Sequence, residues 1–488
     1  MNTTTEKFQW NKNVILKTAL CLAVMGIFWI LPAPAPITPM GMQVIGIFIG
    51  TVLLLSLVDT IWPVFFSFLM LSLTGVMSLN DILKGSVGNW IFSFVVASMI
   101  MTNALNESGF TTRLTIKILS MKAAKKSPWF FTFIYFGICF LVGAFMDQVP
   151  ATAFFLAFTG EILEKIGYDS KSRYANVLIM GAVFAVNLGG AATPISHSLV
   201  ILGLGIFEQA AGYSINLFDY MIYAVPTTLA LFAFLCLIVR FVIKPDVSKV
   251  KDLDISKFTQ EVKPMQLREK AIAGIFFATV VLWIAPGLLQ TILAGDNPLL
   301  VFMKKFSITF WAFLAVILLA VIRINDKPLI NLKEQMNSKI PWATIFFISI
   351  GVLLGSAVSA EGVGLNEYVV ANLTPIIEKA PTLVVVFLFA LGSCVLTNFS
   401  SNVSTITIMT GVAMSVSLAS NTLNPAALAI TTTMGGCLAF VLPSSFAPIA
   451  MLHADPHSDS KMVIRYGIVM VLASGIAACL IGYQLLAG

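Results

Sequence analysis

The chain alternates long apolar stretches with short polar interruptions, and the stretches repeat at the length a helix needs to cross a hydrocarbon layer of about 30 Å. Such stretches lie near 14–31, 42–58, 61–77, 90–106, 129–146, 175–190, 220–243, 270–290, 306–322, 342–358, 382–397, 426–441 and 463–486. Apolar pieces near 150–163, 195–207 and 403–419 are shorter and are expected to be half-helices or arms of re-entrant hairpins. The first stretch is long and no convincing small-residue cleavage site follows it, so it reads as a membrane helix and not a signal peptide.

Two interruptions break this pattern where apolar sequence flanks both sides. One is Thr397-Asn398-Phe399-Ser400-Ser401-Asn402-Val403-Ser404-Thr405, and the other is Met146-Asp147-Gln148-Val149-Pro150. An unsatisfied polar group in hydrocarbon costs several kcal/mol, so such runs persist only where they line a cavity or pack in protein. Two of them in matching halves suggest a binding site assembled from broken helices.

The halves are visible as a repeat. Residues 89–121, with the corner Glu107-Ser108-Gly109-Phe110, resemble residues 341–373, with the corner Glu361-Gly362-Val363-Gly364. Each copy is an apolar helix that turns into an amphipathic stretch. The first amphipathic stretch is basic (Arg113, Lys117, Lys122, Lys125, Lys126) and the second acidic (Glu361, Glu367, Glu378), which puts them on opposite membrane faces. A second pair is Asn187-Leu188-Gly189-Gly190 leading to Thr193-Pro194-Ile195-Ser196-His197-Ser198, and Met434-Gly435-Gly436 leading to Leu442-Pro443-Ser444-Ser445-Phe446-Ala447-Pro448. Glycine allows close approach and proline breaks the helix. The expected organisation is N-terminal scaffold helices over 1–88, a first repeat over 89–244, a linker over 245–268, further scaffold helices over 269–340 and a second repeat over 341–488.

Composition fixes the class: mean hydropathy is +0.93 and only 11% of residues are charged, so the chain is expected to be a multi-pass protein of the cell membrane. The net charge of +6 is scattered among loops, which excludes a nucleic-acid surface and instead reports topology. The basic stretch 240–270, and Lys7, Lys12 and Lys17, put the linker and the N-terminus in the cytoplasm. The six cysteines lie in apolar segments without CxxC spacing and read as packing residues. The fold expected is an all-α polytopic membrane protein of about 11 transmembrane helices, an inverted repeat with two re-entrant hairpins and two broken helices.

Ser401-Asn402-Val403 within Thr397 to Thr407, the corner from Pro341-Trp342 to Gly364, the tract Gly435 to Met451 and the ending Met462-Val463-Ile464-Arg465-Tyr466-Gly467 resemble the divalent-anion/sodium symporter family, the INDY-type dicarboxylate transporters. The resemblance runs from about Asn89 to the C-terminus with gaps. It implies a homodimer in the lipid bilayer whose transport domain carries a dicarboxylate by an elevator-type motion past a fixed scaffold. It also implies Ser-Asn-Thr signatures at two opposed hairpin tips, each forming a sodium site with the broken helix it faces.

The two signatures differ here. The second survives as Ser401-Asn402-Val403, with Thr397 one turn earlier, and Thr397, Ser401 and Asn402 are a possible single sodium site. The first reads Met146-Asp147-Gln148 with Val142 one turn before, and Met and Val offer no hard oxygen, so its sodium site is expected to be absent. With no Lys or Arg expected in a central segment, a dianion would rest on half-helix N-termini and on Gln148, Ser196, Ser198, Ser401, Asn402, Ser404, Ser444 and Ser445. A carrier that has lost charge compensation by sodium returns empty with difficulty, which favours exchange of one anion for another.

Asp147 would repel a dianion, and His197 on the facing break is placed to pair with it as a fixed charge or proton relay; alternatively Asp147 caps the helix beginning at Val149-Pro150. His453, Asp455, His457 and Asp459 read as a capped loop because Pro456 prevents a regular helical pair. The function expected is secondary transport of C4 or C5 dicarboxylates such as succinate, malate or 2-oxoglutarate, as exchange ahead of sodium- or proton-coupled symport. A cation antiporter using Asp147, and an integral membrane enzyme, are the other readings. Neither paired carboxylates, a His-rich metal motif nor a nucleotide-binding glycine loop supports the enzyme.

Overall fold

The computed structural model describes residues 12–120, 127–252, 264–293, 297–358, 360–372, 374–377 and 379–487. Lys7, Lys122, Lys125, Lys126, Lys257, Lys263 and Glu378, used above to read topology, lie outside the described residues.

Helices carry the fold, and the one strand pairing among the described residues is the two-residue ribbon Arg323–Ile324 with Lys327–Pro328. Nine helices among the described residues are long and apolar enough to cross a membrane, or up to 11 if each of two bent pairs counts as one span. The chain is therefore an all-α polytopic membrane protein. The bent pairs are Pro298–Lys304 with Ile308–Val321 and Leu332–Lys339 with Trp342–Val358, angled at 75° and 74°. On the outside, Phe310, Phe313, Ile317 and Val321 are exposed, as lipid-facing residues are.

The interruptions become hairpins. Helix Pro128–Phe145 ends at Met146, and helix Gln148–Ile166 starts beyond Asp147, whose side chain accepts from the Val149 amide at 3.0 Å. The arms run back along each other, because Tyr135 in the first hydrogen-bonds Thr159 in the second at 2.6 Å, nearly equidistant from the tip. The second hairpin pairs Thr382–Phe399 with Asn402–Leu418 across Ser400-Ser401, and Ser401 accepts from the Ser404 amide at 3.1 Å. These caps satisfy amides that the start of a helix leaves without a partner of its own.

Two broken helices fill the space behind the hairpins. The first is Arg173–Ala192, a break over 193–197 and Ser198–Ala211; the second is Pro425–Cys437, a break over 438–446 and Ala447–Ala454. Arg173–Ala192 is buried almost all round, and it reaches the first hairpin because Gly143 meets the Val186 carbonyl and Gly189 meets that of Phe140. In a bilayer such small-residue contacts, not a hydrophobic drive, hold helices together.

Helices Trp90–Glu107 and Trp342–Val358 run antiparallel. Glu107 lies beside Lys339 at one end, and Ile91 and Val352 meet at Gly205 towards the other. Their corners therefore fall at opposite ends, which is the sense an inverted repeat requires. Gly109 and Gly362 make those corners with φ of +83° and +80°, a backbone that glycine adopts without strain. The first corner continues into Phe110–Leu119, tied to helix Leu267–Gln290 by a two-pronged Arg113–Glu269 pair at 2.6 and 2.9 Å. The second corner is tied instead by Thr38, whose amide donates to the Val363 carbonyl at 3.1 Å.

Candidate functional site

Both tips and both breaks meet at one cavity of about 510 Å³. The first tip contributes Asp147, Gln148, Val149 and Pro150, and the second contributes Ser401, Asn402 and Val403. His197 and Ser198 come from the first break, and Ser444, Ser445 and Phe446 from the second. The opposite wall is helix Trp90–Glu107, through Thr102 and Asn103, together with Lys339, Pro341 and Thr344. A larger cavity of about 690 Å³ lies at the first corner, but its Arg113 and Glu269 neutralise each other and neither tip reaches it.

Three of the residues named from the sequence lie off this cavity. Ser196 is buried just behind His197; Thr397 is buried under the second tip; and Ser404 turns away to hydrogen-bond Ser56 at 3.0 Å. The cavity also has a cation that the sequence did not disclose. Lys339 lines it, half-exposed, 3.4 Å from the Glu107 carboxylate, so the expectation of no Lys or Arg beside the anion is corrected. Lys339 escaped notice because it ends a polar helical turn that reads as a loop until the bend at Ile340-Pro341 folds it against Asn103, whose amide donates to the Lys339 carbonyl at 3.3 Å.

Asp147 and His197 share the cavity without a hydrogen bond between them. Asp147 caps its helix, and the His197 ring stacks on Phe446 with centroids 5.7 Å apart. The relay that the sequence suggested is therefore not formed, and capping is what the carboxylate does here. Near the C-terminus, His453 joins Ser460 Oγ and the Val441 carbonyl, each at 2.9 Å, and Asp455 and Asp459 accept from the amides of His457 and Lys461. These residues serve the loop and the following helix.

The two tips are held against their breaks differently. At the second, Asn398 Oδ1 accepts from the amides of Phe440 and Val441 at 2.7 and 2.8 Å, and its Nδ2 donates to the Cys394 carbonyl at 2.6 Å. At the first, the Thr193 hydroxyl donates to the Ala144 carbonyl, and the Gln148 side chain lodges against Gly190, where only a glycine leaves room. The first broken helix reaches the second break through Asn187, which donates to the Ala439 carbonyl at 2.5 Å.

Several buried polar atoms here have no partner: Gln148 Nε2, Asn402 Nδ2, His197 Nε2 and Ser196 Oγ. An amide nitrogen left so costs about 1–3 kcal/mol. Gln148 and Asn402 carry such donors at the two tips, that of Gln148 packed against Gly190, and a rotation of either side chain would turn its amide towards an acceptor-rich, anionic guest in the cavity. Beneath the second tip, Thr397 Oγ1 lies 2.7 Å from Asn402 Oδ1 and 2.6 Å from the Gly436 carbonyl, while Ser401, the third residue of the expected sodium site, hydrogen-bonds Ser404 at 2.8 Å. Beneath the first tip the matching place holds Val142 and the Met146 sulfur, which accepts from Thr111 at 2.7 Å and is too soft for sodium.

Residues 47–435 match the citrate transporter family, CitMHS. The sodium-dependent dicarboxylate transporter SdcS of Staphylococcus saprophyticus is 23% identical over 426 residues, covering 82% of this chain and 77% of that protein. SdcS of Staphylococcus aureus strain USA300 is 22% identical with the same coverage. Two solved structures share the fold. MtrF of Neisseria gonorrhoeae, reported with a class of antimetabolite efflux pumps, has a TM-score of 0.54 at 14% identity and covers 96% of this chain and 94% of its own. The YdaH transporter of Alcanivorax borkumensis has a TM-score of 0.53 at 13% identity, covering 96% and 98%. The chain belongs to the citrate transporter family and is a membrane transporter, not an enzyme.

Proposed function

We propose that the chain is a secondary carrier of C4 or C5 dicarboxylates such as succinate, malate or 2-oxoglutarate. The observation that carries this reading is the convergence of two hairpin tips and two helix breaks on one cavity, with unpartnered donors on Gln148 and Asn402 at opposite tips. Two separated donor sets suit an anion with two carboxylates, and the match to the citrate transporter family and to relatives named as dicarboxylate transporters supports that class.

In this reading the hairpins and broken helices, from the two repeats over 89–244 and 341–488, form a transport domain. The helices over 1–88 and 269–340 form the scaffold of each protomer of a homodimer. Substrate crosses by an elevator-type displacement of the first body past the second. Lys339 in the cavity wall belongs to the scaffold span 269–340 while the tips and breaks belong to the repeats, so substrate sits at the junction of the two bodies.

Exchange of one anion for another is the coupling favoured by the first tip, whose Val142 and Met146 offer a sodium ion no hard oxygen. A second reading, symport with a single sodium ion, is favoured by the oxygens of Thr397, Asn402 and Gly436 and by the sodium-dependent names of the relatives. Sodium held there would supply one positive charge next to the Asn402 amide, offsetting part of the dianion's desolvation. Uptake of labelled succinate into proteoliposomes separates these readings. Exchange predicts uptake only with internal dicarboxylate and indifferent to replacing sodium with potassium; symport predicts sodium-dependent uptake into empty vesicles. Failure to take up succinate, malate or 2-oxoglutarate under any of these conditions would overturn the substrate class.

A further inference from the structure

On the face that carries the linker, remote from the tips, lies a pocket of about 380 Å³ whose lining includes four cations: Lys171, Arg173, Lys461 and Arg465. Its place is fixed by the linker itself: Tyr168 donates to the Asp246 carbonyl at 2.7 Å and Lys249 to the Gly167 carbonyl at 2.9 Å, just before Lys171. None of the four cations takes part in a salt bridge among the described residues. The one carboxylate in the lining, Asp459, caps its helix by accepting from the Lys461 amide at 2.9 Å.

The cations also stand where local electrostatics disfavours them. Arg173 opens helix Arg173–Ala192, Lys461 is in the first turn of Ser460–Ala477, and neither first turn contains an acid. A helix N-terminus carries partial positive charge, so added cations there are destabilising unless an anion joins them. Two helices that begin at the same pocket, each with cations at its start, converge on a place for an anion. A breach of a local rule repeated on two separate elements is a mark of function.

The surroundings distinguish a lipid from a free anion. Ile464, Ile468 and Leu472 follow at four-residue spacing on the same helix, exposed by 37%, 49% and 49%, and form an apolar ridge leading from the pocket along the membrane-facing side. We propose that the pocket binds the headgroup of an anionic phospholipid carrying more than one negative charge, with acyl chains along this ridge. Basic pockets between membrane helices are suited to such headgroups. The lipid would join the first broken helix to the final long helix, which packs on the second hairpin through Gly475 and Leu391.

The test uses the full chain in detergent, stripped of lipid and titrated with tetraoleoyl cardiolipin, dioleoyl phosphatidylcholine or inorganic phosphate. Native mass spectrometry counts bound lipid, and the thermal midpoint reports protection. Cardiolipin should bind saturably and raise the midpoint. K461Q/R465Q should weaken its binding about tenfold to thirtyfold, and K461R/R465K should stay within about threefold of wild type. If K461Q/R465Q fails to fold, K171Q/R173Q reads the same loss from the other helix. Cardiolipin binding unchanged in the neutralised variants would overturn the proposal, as would inorganic phosphate protecting as well as cardiolipin, or phosphatidylcholine binding equally.

Discussion

The two tips occupy equivalent places in the fold and are built from different chemistry. The second is a network of amides and hydroxyls: Asn398 grips its break through two backbone amides, and Thr397 gathers Asn402 and Gly436 around one oxygen cluster. The first has Gly143 where Asn398 stands, sulfur in place of hydroxyl, and an acid in place of an amide, and is held by Thr193 and by Gln148 against Gly190. A repeat therefore fixes backbone placement more firmly than ligand chemistry. One copy can keep a cluster of oxygens where the other has an aliphatic side chain and a thioether.

The sharpest way to break this comparison is Asn398→Ala. It leaves the buried amides of Phe440 and Val441 without acceptors, at about 1–3 kcal/mol each, so a loss of about 2–6 kcal/mol is expected in chemical unfolding. Thr193→Val, its counterpart at the first tip, removes the donor to the Ala144 carbonyl and a long, 3.4 Å acceptor of the Ile195 amide, and should cost less, about 1–3 kcal/mol. Equal losses in both would mean that the tips are held alike and that the asymmetry is only apparent.

Substrate affinity separates the tips next. Asn402→Ala and Gln148→Ala each remove a donor suited to a carboxylate, a type of hydrogen bond that contributes about 1.5–3 kcal/mol. Succinate KM in proteoliposomes should rise roughly tenfold to a hundredfold in each. An unchanged KM for Gln148→Ala alone would confine the anion to the second tip.

Asp147→Asn tests the acid. Asn caps as well as Asp, so stability should hold within about 0.5 kcal/mol while the negative charge is lost. With the negative charge gone from the cavity, succinate KM at constant pH should fall in the variant, and an unchanged KM would remove Asp147 from any electrostatic influence on the anion.

Much of this arrangement was legible from the chain. Polar runs such as Thr397 to Thr405 stand out in apolar sequence because hydrocarbon tolerates them only at a protein-lined cavity, and Asp147 followed by Val149-Pro150 already has the pattern of a cap. The grip of Asn398 on Phe440 and Val441 was not legible, since it spans about forty residues and depends on how a break folds over a tip. The pairing of Asp147 with His197 failed for a related reason: facing positions in sequence do not fix side-chain direction, and Phe446 took the imidazole face. Nor does any sequence pattern disclose that Glu269 is buried against Arg113, 2.6 Å away.

Lys339 gives the smallest expected effect and tests whether the anion's positive environment comes from the tips or from the scaffold. It is 44% exposed and already paired with Glu107, which is 46% exposed, so solvent screening discounts its field to about 0–1 kcal/mol. Lys339→Gln should therefore raise succinate KM by no more than about fivefold, with kcat little changed, and the difference should shrink as potassium chloride is added. Glu107→Gln should act in the opposite sense, freeing the ammonium and lowering KM slightly. A loss above tenfold in Lys339→Gln that salt does not reduce would mean a direct, desolvated contact with a carboxylate, and the cation missing from both tips would then be supplied by the scaffold wall.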